Sequence, residues 1–143
     1  MDIKINGQAY DQSSVKFTAN NLSLITVQDI STGSTLKPGS LKGASSERVA
    51  RTKGEAEHDL SFSLGMEEAD EYLNSLGDGY GETEHDIVIT YRAKGSRERK
   101  IEILSARVTS AKEDTKGTDA AMVKFEIDVF RRKVNGLSIT KET

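Results

Sequence analysis

Between Arg51 and Tyr91 the chain reads RTKGEAEHDLSFSLGMEEADEYLNSLGDGYGETEHDIVITY: strand, helix, glycine-rich turn, strand. Ala56, His58, Leu60, Phe62 and Leu64 alternate with Glu55, Glu57, Asp59, Ser61 and Ser63, so one strand face is largely apolar and the other polar. The helix, expected over 66–76, gathers Met66, Ala69, Tyr72, Leu73 and Leu76 on one stripe. Acids crowd its first turn, where the positive end of the helix dipole favours them, and Gly77 supplies the stop. No other segment has a helical period of this quality. One short helix set among strands restricts the chain to mainly-β architectures.

The 143 residues suit a single domain, 1–143, with enough chain to bury a core. No run approaches the ~18 apolar residues of a membrane helix, and no signal peptide is read ahead of the first strand. Zero cysteines remove disulfides, thiolate nucleophiles and Cys-based zinc sites together. A net charge of -3 argues against a nucleic-acid clamp, which needs a basic stripe. The 35% hydrophobic fraction is low for a compact monomer and suits a surface engaged with other copies.

In chain order, Asp2 to Ile5 is a strand closed by the turn pair Asn6-Gly7, and AYDQSS is an irregular link. Val15 to Ile30 reads as a hairpin turning at Asn20-Asn21, with Leu22 to Ile30 as its second strand. Ser31 to Glu47 lacks periodicity, holds Pro38 and reads as a long loop. Asp86 to Ala93 is a strand with Ile87, Ile89 and Tyr91 inward. The next strand, Arg99 to Val108, changes phase between Ile101/Ile103 and Leu104/Ala106/Val108, which predicts a β-bulge near Ile103-Leu104. Lys112 to Asp119 reads as a loop. Ala121, Val123, Phe125, Ile127 and Val129 mark a strand running to about Arg131, and Val134 to Leu137 closes the ordered part. The expected fold is mainly β, a sandwich or small barrel of two packed antiparallel sheets flanked by the one helix.

Candidate chemistry is thin. His58 and His85 each precede an aspartate, yet no G-x-S-x-G elbow accompanies them, and His58 sits on an apolar strand face as a half-buried structural residue would. Gly77 to Gly81 resembles a phosphate cradle only in composition, because it closes a helix rather than opening one. Asp78, Glu82, Glu84 and Asp86 do not follow EF-hand spacing and read as a solvated acidic loop. No catalytic residue, cofactor or metal ligand is assigned.

Charge is segregated instead. From Glu55 to Asp86 there are eleven acids and no Lys or Arg; from Arg92 to Lys116, eight bases meet four acids. Opposite patches suit head-to-tail association of copies, and they equally allow neutralisation inside one subunit.

Several motifs then fall in a familiar order: Ile5-Asn6-Gly7, Ala9-Tyr10-Asp11, Ser13-Ser14-Val15, Arg51-Thr52-Lys53-Gly54, Leu76-Gly77-Asp78-Gly79-Tyr80-Gly81 and Val134-Asn135-Gly136. Together they span most of the chain, which resembles the major tail tube proteins of tailed phages, closest to those of contractile tails. The resemblance implies a fold shared with type VI secretion tube proteins. It also implies a structural virion protein, not an enzyme, whose hexameric rings stack into a hollow helical tube for genome ejection. Implied partners are further copies of itself, the tail sheath, tape-measure and terminator or baseplate proteins, and double-stranded DNA passing through the lumen without sequence-specific binding; no membrane is implied. The implied location is the phage tail in the virion, with assembly in the host bacterial cytoplasm. An early loop, here 31–47, would reach a neighbouring subunit, with Leu36, Lys37, Pro38, Leu41, Lys42, Arg48 and Arg51 as contact candidates.

Two polar strand faces are candidates for the lumen wall: Glu57-Asp59-Ser61-Ser63 and Lys124-Glu126-Asp128. Like charge there would keep DNA sliding. A type VI-like tube carrying effectors is the alternative within the architecture. A β-sandwich binding module or hydrolase is the alternative outside it, and the absence of tryptophan counts against a sugar-stacking groove.

Overall fold

The computed structural model describes residues 2–11, 14–42, 48–92, 97–114 and 121–139; at 2, 8, 9, 11, 37–42, 48–55 and 114 it describes backbone and register alone. The strands are β1 (Asp2–Ile5), β2 (Gln8–Asp11), β3 (Val15–Ala19), β4 (Leu22–Leu24), β5 (Gln28–Lys42) and β6 (Arg48–Gly65). After helix α1 (Met66–Leu76) and a 3-10 turn (Tyr80–Glu82) come β7 (His85–Arg92), β8 (Glu98–Asp114), β9 (Met122–Asp128), β10 (Arg131–Val134) and β11 (Leu137–Ser138).

Hydrogen bonding follows the order β2-β1-β5-β6-β9-β8-β7-β3-β4, with β10 and β11 on the free side of β8. Every pairing is antiparallel except β1 with β5, which meet in parallel at Ile5 and Ile30. Strand β8 belongs to both layers. Its first half pairs with β7 and β10, and its second half, from Arg107, pairs with β9. The changeover is a bulge: between the pairs Ile87↔Ile103 and His85↔Ala106, Leu104 and Ser105 oppose Asp86 alone, and Ser105 takes a φ of 53°. The Asp86 carboxylate steadies it by accepting a bond from the Ser105 N–H at 3.2 Å. The extra residue resets the phase, so Ile101, Ile103, Ala106 and Val108 are all buried in one core. The predicted bulge is therefore present one residue further along.

Between the layers, Phe17 of β3 packs against Phe62 of β6 with ring centroids 4.8 Å apart, and Phe62 stacks on Phe125 of β9 at 5.4 Å. Helix α1 adds Ala69, Tyr72 and Leu76 to this core, with Met66 and Leu73 partly buried beside them. Truncating a ring such as Phe62 to alanine costs about 3–5 kcal/mol. At its C-terminus Gly77, at φ 80°, returns its N–H to the Leu73 carbonyl. At its start Glu68 turns away from solvent and accepts bonds from the Ile25 and Thr26 N–H groups and the Thr26 hydroxyl.

That staple explains one departure from the sequence reading. Leu22 to Ile30 is not one strand: β4 ends at Leu24, the chain bends through 25–27 where Glu68 holds it, and β5 begins at Gln28. Residues 8–11, read as a link, form β2, and β8 runs on through Lys112 to Asp114. The expected strand to Arg131 breaks after Asp128 and resumes as β10, and Leu137 belongs to β11.

The largest departure is the stretch 31–47. Its 31–42 portion lies in β5, paired with β6 from Gln28↔Ser63 to Lys42↔Arg48, while 43–47 lies outside the described residues. Alternation fails as a signal there because, among the described residues, no third strand pairs with the hairpin beyond Leu36↔Ala56. Pro38 falls at a register shift between Lys37 and Gly39, a bulge position that needs no donor from it.

Candidate assembly and conduit surface

The two polar strand faces named from sequence are one surface. In the register of β5-β6-β9-β8, Gly33, Asp59, Asp128 and Arg107 stand in one row. Ser31, Ser61, Glu126 and Ser110 form the next, and Gln28, Ser63, Lys124 and Lys112 the third. Their neighbours Leu60, Phe62, Leu64, Val123, Phe125 and Ile127 point the other way, into the core. Glu57, Asp59, Lys124, Glu126 and Asp128 are exposed, and Ser61 and Ser63 are half-buried. One end of the surface is acidic and the other basic, so the acidic side seen in sequence is interrupted by Lys112 and Lys124. Like charges lie directly opposite one another twice, at Asp59↔Asp128 and Lys124↔Lys112, an arrangement that opposes strand pairing.

This four-stranded surface has two open edges among the described residues. Beyond Thr32, β5 pairs only with β6; from Arg107 onward, β8 pairs only with β9. Unpaired edges are templates for another chain.

The outer part of β5 and β6 is a two-stranded arm. Leu36, 40% exposed, stands at its root, and Lys37, Pro38, Leu41, Lys42, Arg48 and Arg51 all fall on its strands by register. The arm root is fastened by polar groups that sequence reasoning missed. Arg132 of β10, only 8% exposed, donates from Nε to Thr32 Oγ1 at 3.0 Å and from Nη1 to Ser34 Oγ at 3.2 Å. Ser34 Oγ also lies 2.9 Å from His58 Nδ1, and Thr32 Oγ1 donates to the Asp59 carbonyl. The Ser34 hydroxyl accepts from Arg132 and keeps its own hydrogen, which it can donate to His58 Nδ1 when the ring proton is on Nε2. Burial, then the Arg132 charge, hold the His58 pKa below its ordinary value. In sequence Arg132 is one of three consecutive bases, Arg131-Arg132-Lys133, and it is the alternation of β10 that leaves Arg131 exposed and Arg132 buried.

His85 has a comparable role in the core. Its Nδ1 faces the Thr83 carbonyl and its Nε2 meets the Tyr72 hydroxyl, joining α1 to β7. Burial lowers the His85 pKa and raises that of Tyr72. Both histidines bond to hydroxyls or carbonyls without a triad. The glycine turn after α1 packs on β8, where a Cβ at Gly81 would stand 3.1 Å from the Val108 carbonyl oxygen. Among the described residues no His, Asp and Glu group could hold a metal, and no helix is long and apolar enough to cross a membrane. Part of the segregated charge is neutralised within the subunit, since Arg107 pairs with Glu84 at 2.8 Å.

No family model and no curated protein matches the sequence. Solved structures do match in fold. The sheath/tube terminator of an extracellular contractile injection system (PVC) superposes with a TM-score of 0.64 at 12% identity, over 85% of this chain and 92% of that one. The SPP1 tail tube gives a TM-score of 0.61 at 11% identity, over 90% of this chain and 80% of that one. Hcp1 from Flavobacterium johnsoniae gives 0.55 at 12% identity, over 90% of this chain and 99% of that one. At such identities the likeness is one of architecture, and the chain has the tail-tube-like fold.

Proposed function

We infer that this chain is a tube subunit: a structural protein whose copies join into hexameric rings and stack into a hollow tube. The single domain 1–143 would contribute its β5-β6-β9-β8 sheet to the wall, with Glu57, Asp59, Ser61, Ser63, Lys124, Glu126 and Asp128 facing the lumen. The carrying observation is that sheet itself, with one face in the core, a predominantly polar opposite face, and an open edge on each side among the described residues. Edge-to-edge joining of β8 to the next copy's β5 removes both open edges at once. The arm, including Leu36, would reach an adjacent subunit. In a phage tail the tube would conduct DNA into the host, in contact with sheath, tape-measure, terminator and baseplate proteins.

A second reading, a secretion tube carrying protein effectors, is favoured by one observation. Lys112 and Lys124 stand side by side on the proposed lumen face, where a DNA conduit is better served by acids alone. Negative-stain microscopy of the purified chain tests the common part: rings or tubes with a central hole are expected, and a strictly monomeric species at high concentration overturns it.

A further inference from the structure

The arm is basic in sequence: positions 37–55 hold Lys37, Lys42, Arg48, Arg51 and Lys53 against Glu47 and Glu55. The outer face of α1 has the opposite character. Glu67, Asp70 and Glu71 are exposed on one side of the helix at i, i+3 and i+4, while Glu68 is turned inward to its bonds with 25 and 26. No ion pair reaches those three acids among the described residues. Glu67 and Glu71 are a like-charge i,i+4 pair, which weakens an isolated helix. Helix α1 also has no base in its last turn. The helix dipole favours Glu67, but among the described residues no cation partners this face.

The two features cannot meet within one subunit. Strand β6 runs unbroken from Arg48 in the arm to Gly65, the residue that caps α1. Its 18 residues span about 55 Å at the usual strand rise, with the arm at one end and the helix at the other. A copy displaced along that direction brings its arm toward the first copy's helix. The contact uses different surfaces on each side, so it repeats without closing and builds a filament.

We propose that the basic arm of one copy docks on the acidic outer face of α1, at Glu67, Asp70 and Glu71, in the next copy along the assembly. This rests on the tube reading above and names the surface that receives the arm. The contact is between charges at the subunit surface, so it sets register and direction more than affinity and weakens with salt.

Charge exchange tests it. The double variants Glu67→Lys/Glu71→Lys and Arg48→Glu/Arg51→Glu are each expected to lower tube length by tenfold or more in microscopy and sedimentation. A 1:1 mixture of the two is expected to restore tubes, because each reversed arm then finds a reversed helix. Circular dichroism melts report whether each variant is folded. The milder pair Asp70→Asn/Glu71→Gln, expected to shorten tubes about threefold, covers the case in which the lysines disturb the first helical turn. Wild-type tubes with full growth in both helix variants would overturn the docking while leaving the tube reading intact. Failure of the wild-type chain to form any ring or tube would overturn the reading beneath it. If the arm instead takes nucleic acid, a 30-bp duplex would be retained by wild-type tubes at 0.15 M salt. It would be lost on arm reversal and indifferent to helix reversal, which also refutes the proposal.

Discussion

Arg132 Nε donates a hydrogen bond to Thr32 Oγ1 across 3.0 Å of space and 100 residues of sequence. The bond joins β10, on the edge of one layer, to β5 of the other, at the place where the arm leaves the body. With the second bond to Ser34 Oγ, the guanidinium has two hydroxyl partners, and the Asp59 charge favours its protonated form against the cost of burial. Arg132→Ala should lower stability by about 1–3 kcal/mol, since two bonds from a charged donor are lost at a buried site. Urea unfolding measures this through the midpoint; a midpoint within error of wild type would show that the cluster contributes nothing to holding the arm.

The same cluster gives the arm root an acid limb. The folded-state pKa of His58 lies below its ordinary value, so the unfolded chain binds the proton more readily. Stability from this group is present above its ordinary value of 6.5 and is lost as pH falls from there through the folded pKa. His85, lowered by burial, acts with the same sign. The melting temperature should therefore fall between pH 7.5 and pH 5, and His58→Gln, which cannot take the proton, should flatten part of that fall. An unchanged slope in His58→Gln, with His58 titrating near 6.5 by NMR in the wild-type protein, would refute the His58 contribution.

The elements that sequence made legible are those in which a face is buried. Leu60, Phe62 and Leu64 in β6, Val123, Phe125 and Ile127 in β9, and Ala69, Tyr72 and Leu76 of α1 are all in the core, so burial imposed their period. The Asn6-Gly7, Asn20-Asn21 and Asn135-Gly136 turns were equally readable, because both central residues take positive φ in each. The outer part of β5 was not readable: past Leu36 its only pairing among the described residues is with β6, and backbone pairing asks nothing of side-chain alternation. The polar face was seen in two halves, on β6 and β9, because only register reveals that Asp59 opposes Asp128 and Ser63 opposes Lys124. Arg132 was hidden for a related reason, its partners Thr32 and Ser34 being 100 and 98 residues away in sequence.

That register makes a last expectation possible on the isolated subunit. Lys124 stands between Ser63 on β6 and Lys112 on β8, so its nearest charged cross-strand neighbour repels it. Lys124→Glu converts the repulsion into an attraction worth about 0.2–1 kcal/mol at an exposed cross-strand site. The variant should unfold at higher urea than wild type in low salt, and the difference should shrink as salt screens both arrangements. A variant less stable than wild type at every salt concentration would mean that Lys124 and Lys112 are not opposed as described. A gain would mean that the native lysines are kept at a cost to the lone subunit, which places their use in what the assembled surface meets.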